Sequence, residues 1–396
     1  MKKFMALISF FFCSSVLAQT NVSIITYDPF FTPFVDFYAN TKLSAISGGR
    51  GCTGIADEEG GLESTLLNPA SLNNKGLIFS AGYNYKTDMD WYLGTKFKAY
   101  QPPILAGLGF TLFDKLSFGA LYYDKSNFKF VIEIDEATTI DDPSTIREDE
   151  GGLPSYVAVD DVCQRTLSFP VSYAPLKTFK MGINVNYSFF SHDFYIGVNN
   201  NVFEKTRFEL LTADFGLIIK PSDRYSLGLT LSPQYTKQFI KERIYNYIFI
   251  SDSLWPSEIG GYTIPEPRVN KFPLSAGLGI KYLPSEKIKL FADYHFVNAS
   301  IYPHYFDRHD INLGVEYLHK KTTLRAGAFT LLDFRKPGLW LQESAGKEHQ
   351  YFLTGGVTCP VGPMEINLSL MDSHILSSGS LKQTQVSCGL NYRINK

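Results

Sequence analysis

Three short constellations in this chain hold residue types that could do chemistry. Gly49-Arg50-Gly51-Cys52-Thr53-Gly54 matches a dinucleotide-binding glycine fingerprint letter for letter. That motif cradles a pyrophosphate only between a strand and a helix of a βαβ unit, and neither flank reads as one. Asp372-Ser373-His374 sets an acid, a hydroxyl and an imidazole in succession. Adjacent residues on a strand point to alternate faces, so these three cannot converge on one reacting atom. His304 and His309, with Asp307 and Asp310, are metal-ligating types in a polar link. A second link carries Asp135, Glu136, Asp141, Asp142, Glu148, Asp149, Glu150, Asp160 and Asp161 without the ordered spacing of a calcium loop. Cys52, Cys163, Cys359 and Cys388 lack metal-ligand spacing and read as free, buried thiols. The expectation is no enzyme, no cofactor and no metal.

Charged residues on an alternating pattern are more informative. Lys281, Lys289, Arg325 and Arg393 share a face with Asp293 and Glu316. A basic residue there could meet a ligand carboxylate that has left water, or it could belong to an internal ladder of ion pairs. Apolar clusters also fall where water is expected, at Ile248, Phe249, Leu254 and Trp255, with Phe189, Phe190 and Tyr195 from a neighbouring link. Exposed apolar patches often mark binding sites.

These residues must be positioned by strands. Six tight turns each join two runs of period-two alternation: Leu112–Lys115, Ala174–Lys177, Lys220–Arg224, Leu283–Lys287, His319–Thr322 and Cys359–Pro363. In Ile311-Asn312-Leu313-Gly314-Val315-Glu316-Tyr317 the odd positions are large and apolar, the even ones polar or glycine. Long polar links are expected near 86–103, 124–164, 190–209, 236–270, 297–308, 332–349 and 372–382. Short turns on one side and long links on the other are the layout of an all-β, transmembrane antiparallel barrel. A soluble sandwich also alternates, but with shorter strands and its apolar side inward.

Met1-Lys2-Lys3, an apolar run from Phe4 to Leu17, and Ala18 read as a signal peptide over 1–18. No later run is long and apolar enough for a spanning helix. The aromatic content of 15% suits interfacial girdles, and a formal net charge of −2 leaves no nucleic-acid footprint.

The stretch before the barrel carries a resemblance. A glycine-rich run containing Gly49, Gly51 and Gly54, then Ile55-Ala56-Asp57, a spacer, and Asn68-Pro69-Ala70 resembles the N-terminal hatch of the FadL family. These are bacterial outer-membrane transporters of long-chain fatty acids and aromatic hydrocarbons. The likeness extends from Gly76 through six hairpins to Ile394. It implies about 14 strands over 76–396, with an N-terminal extension and hatch over 19–75 plugging the lumen. It also implies passive, hatch-gated transport of a hydrophobic small molecule such as a fatty acid, in contact with outer-membrane lipid. Its outer groove would use Phe189, Phe190, Ile248, Phe249, Leu254 and Trp255, and Lys289 and Arg325 are candidate inward contacts. A kink in the third strand would open a side exit at Asp124, Lys125, Ser126 and Asn127, unless the strand simply ends there. The hatch motif is shared with PorV/PorQ-like barrels, which implies secretion-system partners as the alternative. The chain departs from the family in its acidic spacer, Glu58-Glu59-Gly60-Gly61, and in ending without an aromatic residue. Asn68 is expected to cap backbone groups where hatch meets barrel, or to form the turn into the first strand.

Overall fold

The structure is a computed structural model. It describes residues 44–72, 76–87, 89–90, 96–98, 104–112, 115–134, 156–197, 202–233, 238–247, 260–262, 273–301, 305–334, 336, 349–379 and 382–394. Among these, fourteen antiparallel strands close into one cylinder. In chain order they are β1 (Leu77–Lys86), β2 (Ile104–Leu112), β3 (Leu116–Ile134), β4 (Tyr156–Leu176), β5 (Phe179–Gly197), β6 (Val202–Ser222) and β7 (Tyr225–Ser232). They continue with β8 (Ser275–Ser285), β9 (Ile288–Val297), β10 (Arg308–His319), β11 (Thr322–Leu331), β12 (Gln350–Val361), β13 (Met364–Asp372) and β14 (Thr384–Ile394). Each pairs with its neighbours in sequence. β14 returns to β1, Leu77 opposite Ile394 and Lys86 opposite Gln385. Closure leaves no strand edge, which a lipid environment requires because hydrocarbon cannot satisfy free N–H and C=O groups. Among the described residues no helix is long and apolar enough to cross a membrane.

The wall is apolar outside and polar inside. Along β14, Val386, Leu390 and Tyr392 are exposed, while Gln385, Ser387 and Asn391 are buried. β8 exposes Leu278 (55%) and Ile280 (50%) and buries Lys281 (0%). A water-soluble sandwich would show the opposite, so this pattern decides against it. All six expected tight turns join consecutive strands.

The long-link side differs from expectation. The segments 124–164 and 190–209 are not simply links, since β3 to β6 are 19 to 21 residues long and run through much of them. At about 3.4 Å per residue such strands reach about 65–70 Å, well beyond a tilted crossing of an apolar band about 25 Å tall. Backbone pairing in these strands continues through that extra length. Gln238–Tyr247 extends the ribbon by pairing with β6.

The cysteine expectation holds only in part. None of the four forms a disulfide among the described residues, but Cys359 and Cys388 are exposed on the outer face and Cys163 is half-buried, leaving Cys52 fully buried. Alternation explains this, since Thr358 and Ser387 take the inward positions beside them.

Candidate functional site

Residues 44–72 pack against the inner face of the barrel. They begin with a one-turn helix, Ala45–Gly49, capped by the Ser44 hydroxyl, which accepts from the Ser47 amide. Two 3-10 turns follow, Glu63–Leu66 and Pro69–Ser71. Too short to build a core, the segment is buried against the wall instead. Leu62 packs with Ile78, Leu105 and Leu121 of β1, β2 and β3. Ser172 of β4 and Asn184 of β5 donate to the Ala70 and Thr65 carbonyls at 3.3 and 2.8 Å. Asp293 of β9 accepts from the Gly54 and Ile55 amides at 2.6 and 3.0 Å. Thr354 of β12 accepts from the Gly51 amide at 2.9 Å and donates to the Gly49 carbonyl at 3.1 Å.

Asn68 performs the capping expected of it. Its Oδ1 accepts from the Ala70 amide at 2.9 Å. Its Nδ2 donates to the Ile55 carbonyl at 2.6 Å and to the Leu217 carbonyl of β6 at 3.1 Å. One amide thus holds the 3-10 turn, the middle of the segment and the barrel wall together. Pro69 and Ala70 are buried beside it, as are Gly49, Gly51, Gly54 and Asp57 further up the segment.

Wall glycines make room for this backbone. A Cβ at Gly228 of β7 would overlap the Ile55 carbonyl, and one at Gly314 of β10 the Arg50 carbonyl. In the sequence these glycines read only as small inward residues.

The electrostatic centre is Arg50. It lies 2.8 Å from Asp57 and 2.8 Å from Glu316 of β10, with its guanidinium over the Phe291 ring at 4.3 Å. Arg325 of β11 shares Glu316 at 2.8 Å. Burial alone would lower the Arg50 pKa, but Asp57 and Glu316 raise it above its ordinary value. Burial would likewise raise the Asp57 carboxyl, yet Arg50, Lys281 and Lys289 hold it well below the usual range. Glu63 shifts the other way. Burial pushes its carboxyl up, against a 2.8 Å hydrogen bond from the Ser44 hydroxyl.

A second group surrounds the acidic spacer near the short turns. Lys281 of β8 approaches Glu58 at 2.5 Å and Asp57 at 3.7 Å, and Lys220 of β6 approaches Glu58 at 3.7 Å. Ser226 of β7 donates to the Glu58 carboxylate at 2.9 Å, and Lys180 of β5 to its backbone carbonyl at 2.8 Å. Lys289 of β9 pairs with Glu59 at 2.7 Å. Lys289 and Arg325, considered as ligand contacts, are therefore both engaged in the ion-pair ladder.

Other expectations fall as follows. Phe190 points inward and is 5% exposed, whereas Phe189 is on the outer face at 43%, so the two cannot line one groove. Asp124 is buried and accepts from the Ile104 amide at 3.3 Å, and Lys125 is exposed. The β3–β4 register shifts between Asp124 and Ser126, and pairing continues past Asn127 to Ile134. The structure thus has a bulge there and no strand end. Ile248, Phe249, Leu254 and Trp255 lie outside the described residues. Asp372 and His374 lie 3.0 Å apart, but the Ser373 hydroxyl bonds the Gln383 carbonyl, so no triad forms. Among the described residues no group of three or more His, Cys, Asp or Glu could hold a metal.

The inner face also carries an apolar group. Phe329, Leu331, Phe352 and Met371 face inward and pack on Cys52, Phe329 and Phe352 stacking at 4.5 Å. Their signal is an apolar residue at a position where the alternation calls for a polar one.

Fold and site together define a closed, 14-stranded antiparallel barrel that is apolar on its outer face, with residues 44–72 packed against its inner face. The same fold occurs in a FadL homologue of Pseudomonas aeruginosa (TM-score 0.62, 12% identity, covering 90% of this chain and 99% of that one). It also occurs in the toluene transporter TbuX of Ralstonia pickettii (TM-score 0.64, 14% identity, 91% and 99%) and in the toluene transporter TodX of P. putida (TM-score 0.62, 15% identity, 89% and 99%). At these identities the likeness is one of fold. No family model matches the chain, and no curated protein matches it.

Proposed function

We propose that this protein sits in a bacterial outer membrane and passes hydrophobic small molecules, fatty acids among them, by passive diffusion regulated by its leading segment. The observation that carries the reading is a cylinder with an apolar outer face and residues 44–72 held against its inner face by polar contacts. The inward apolar group Phe329, Phe352 and Met371 offers a greasy resting place in an otherwise polar lumen. The transporter folds of the neighbouring structures support the same reading, and no specific observation favours the secretion-barrel alternative. Under this reading the outer ends of β3 to β6 and the links beyond them gather the solute. The segment then shifts to let it pass, and the Asp124–Asn127 bulge is where a side exit into the bilayer would form. Accumulation of a long-chain fatty acid or of toluene by cells with and without the protein tests this. Faster accumulation with the protein is expected, and equal rates for both solutes contradict it.

A further inference from the structure

Glu58 behaves as a ligand bound to the barrel. The wall presents Lys281 at 2.5 Å, Ser226 at 2.9 Å and Lys220 at 3.7 Å around one carboxylate, from three adjacent strands. Lys281 and Ser226 are fully buried. Lys180 holds the backbone of the same residue, and Lys289 takes Glu59. All four lysines belong to the wall. With the spacer displaced, Lys281 and Lys220 would face the lumen without the carboxylate that now lies between them, a position that attracts another anion. An organic carboxylate supplies such an anion, since a charge-assisted hydrogen bond is well made by any carboxylate of suitable reach.

We propose that Lys281, Lys220 and Ser226 form an anion site for amphipathic carboxylates, which the protein's own Glu58 occupies at rest. The inference rests on the transport reading above and deepens it. A hydrophobic solute bearing a carboxylate displaces Glu58 and so loosens the spacer, whereas a neutral solute of the same length has no such leverage. Glu58 is then an autoinhibitory side chain, and the site distinguishes acids from hydrocarbons.

Equilibrium binding of dodecanoate and of dodecanol to the purified full chain tests the proposal. Replacing Glu58 by Gln removes the competing charge. Dodecanoate should then bind about tenfold tighter, the scale of one hydrogen bond to a charged group, with dodecanol unchanged. In Glu58→Gln/Lys281→Met, where neither buried partner is left unpaired, that gain should disappear. Retention of the compact, unboiled electrophoretic band shows that each variant has closed its barrel. Unaltered dodecanoate affinity in Glu58→Gln, or an equal gain for dodecanol, overturns the anion site while leaving the transport reading in place. Failure of both solutes to bind any variant overturns both.

Discussion

Arg50 of the leading segment and Glu316 of the wall meet at 2.8 Å with both side chains buried. They are 266 residues apart in sequence, and the same guanidinium reaches Asp57 at 2.8 Å. This pair joins two parts of the protein that share no strand, and with the Asp293, Thr354 and Asn68 contacts it ties the segment to the wall.

Arg50→Met should loosen the segment while the barrel stays closed. The change removes a cation shared by Asp57 and Glu316, but Glu316 keeps Arg325 and Asp57 keeps Lys281, so the loss should fall below the about 3–5 kcal/mol of a buried charge left alone. Protease cleavage within 44–72 should speed up, with the folded band retained on an unboiled gel. Cleavage at the wild-type rate would show that the pair does not hold the segment.

Wall glycines should be intolerant where the segment touches them. Gly228→Val and Gly314→Val place a side chain on the Ile55 and Arg50 carbonyls and should expose the segment to protease. Gly355→Ala is the control, because a Cβ there meets nothing nearer than the Arg325 carbonyl at 4.0 Å. Equal behaviour of all three would mean that the close approach is absent.

Charge on the outer face should destabilise the barrel in lipid. Leu278→Arg puts a guanidinium on the exposed apolar band, at about 2–4 kcal/mol near the midplane. Urea unfolding in vesicles measures it. An unaltered midpoint would indicate that this face does not contact hydrocarbon.

Two acids should give the closed state opposite pH slopes. Asp57 is held low, so its contribution is complete above about pH 3.9 and is lost as pH falls toward its depressed value. Glu63 is pushed up, so docking weakens as pH rises from about 4.3 through its raised value and then levels off. Glu63→Gln should remove the second slope, while Ser44 keeps an acceptor. Protease protection against pH reads both, and a wild-type profile identical to that of Glu63→Gln would refute the assignment.

The sequence made the barrel legible because alternation reports directly on which face meets lipid, as in Leu278, Ile280 and Lys281. Turns were legible because proline, glycine and charged residues interrupt that alternation on one side. The reach of β3 to β6 was not, since pairing above a bilayer needs no apolar face, and Asp124 was read as a possible stop where the structure has a bulge. Asn68 could be assigned a capping role from the resemblance and its neighbour Pro69. The lysine collar could not, because Lys180, Lys220 and Lys281 come together only once three hairpins close around Glu58.

The most direct measurement is conductance in a planar bilayer of the intact protein and of a variant lacking residues 44–72. The intact protein should be electrically silent and the deletion should show steady ion-conducting events. Steady conductance of the intact protein, or silence of the deletion once inserted, would contradict a bore filled by that segment.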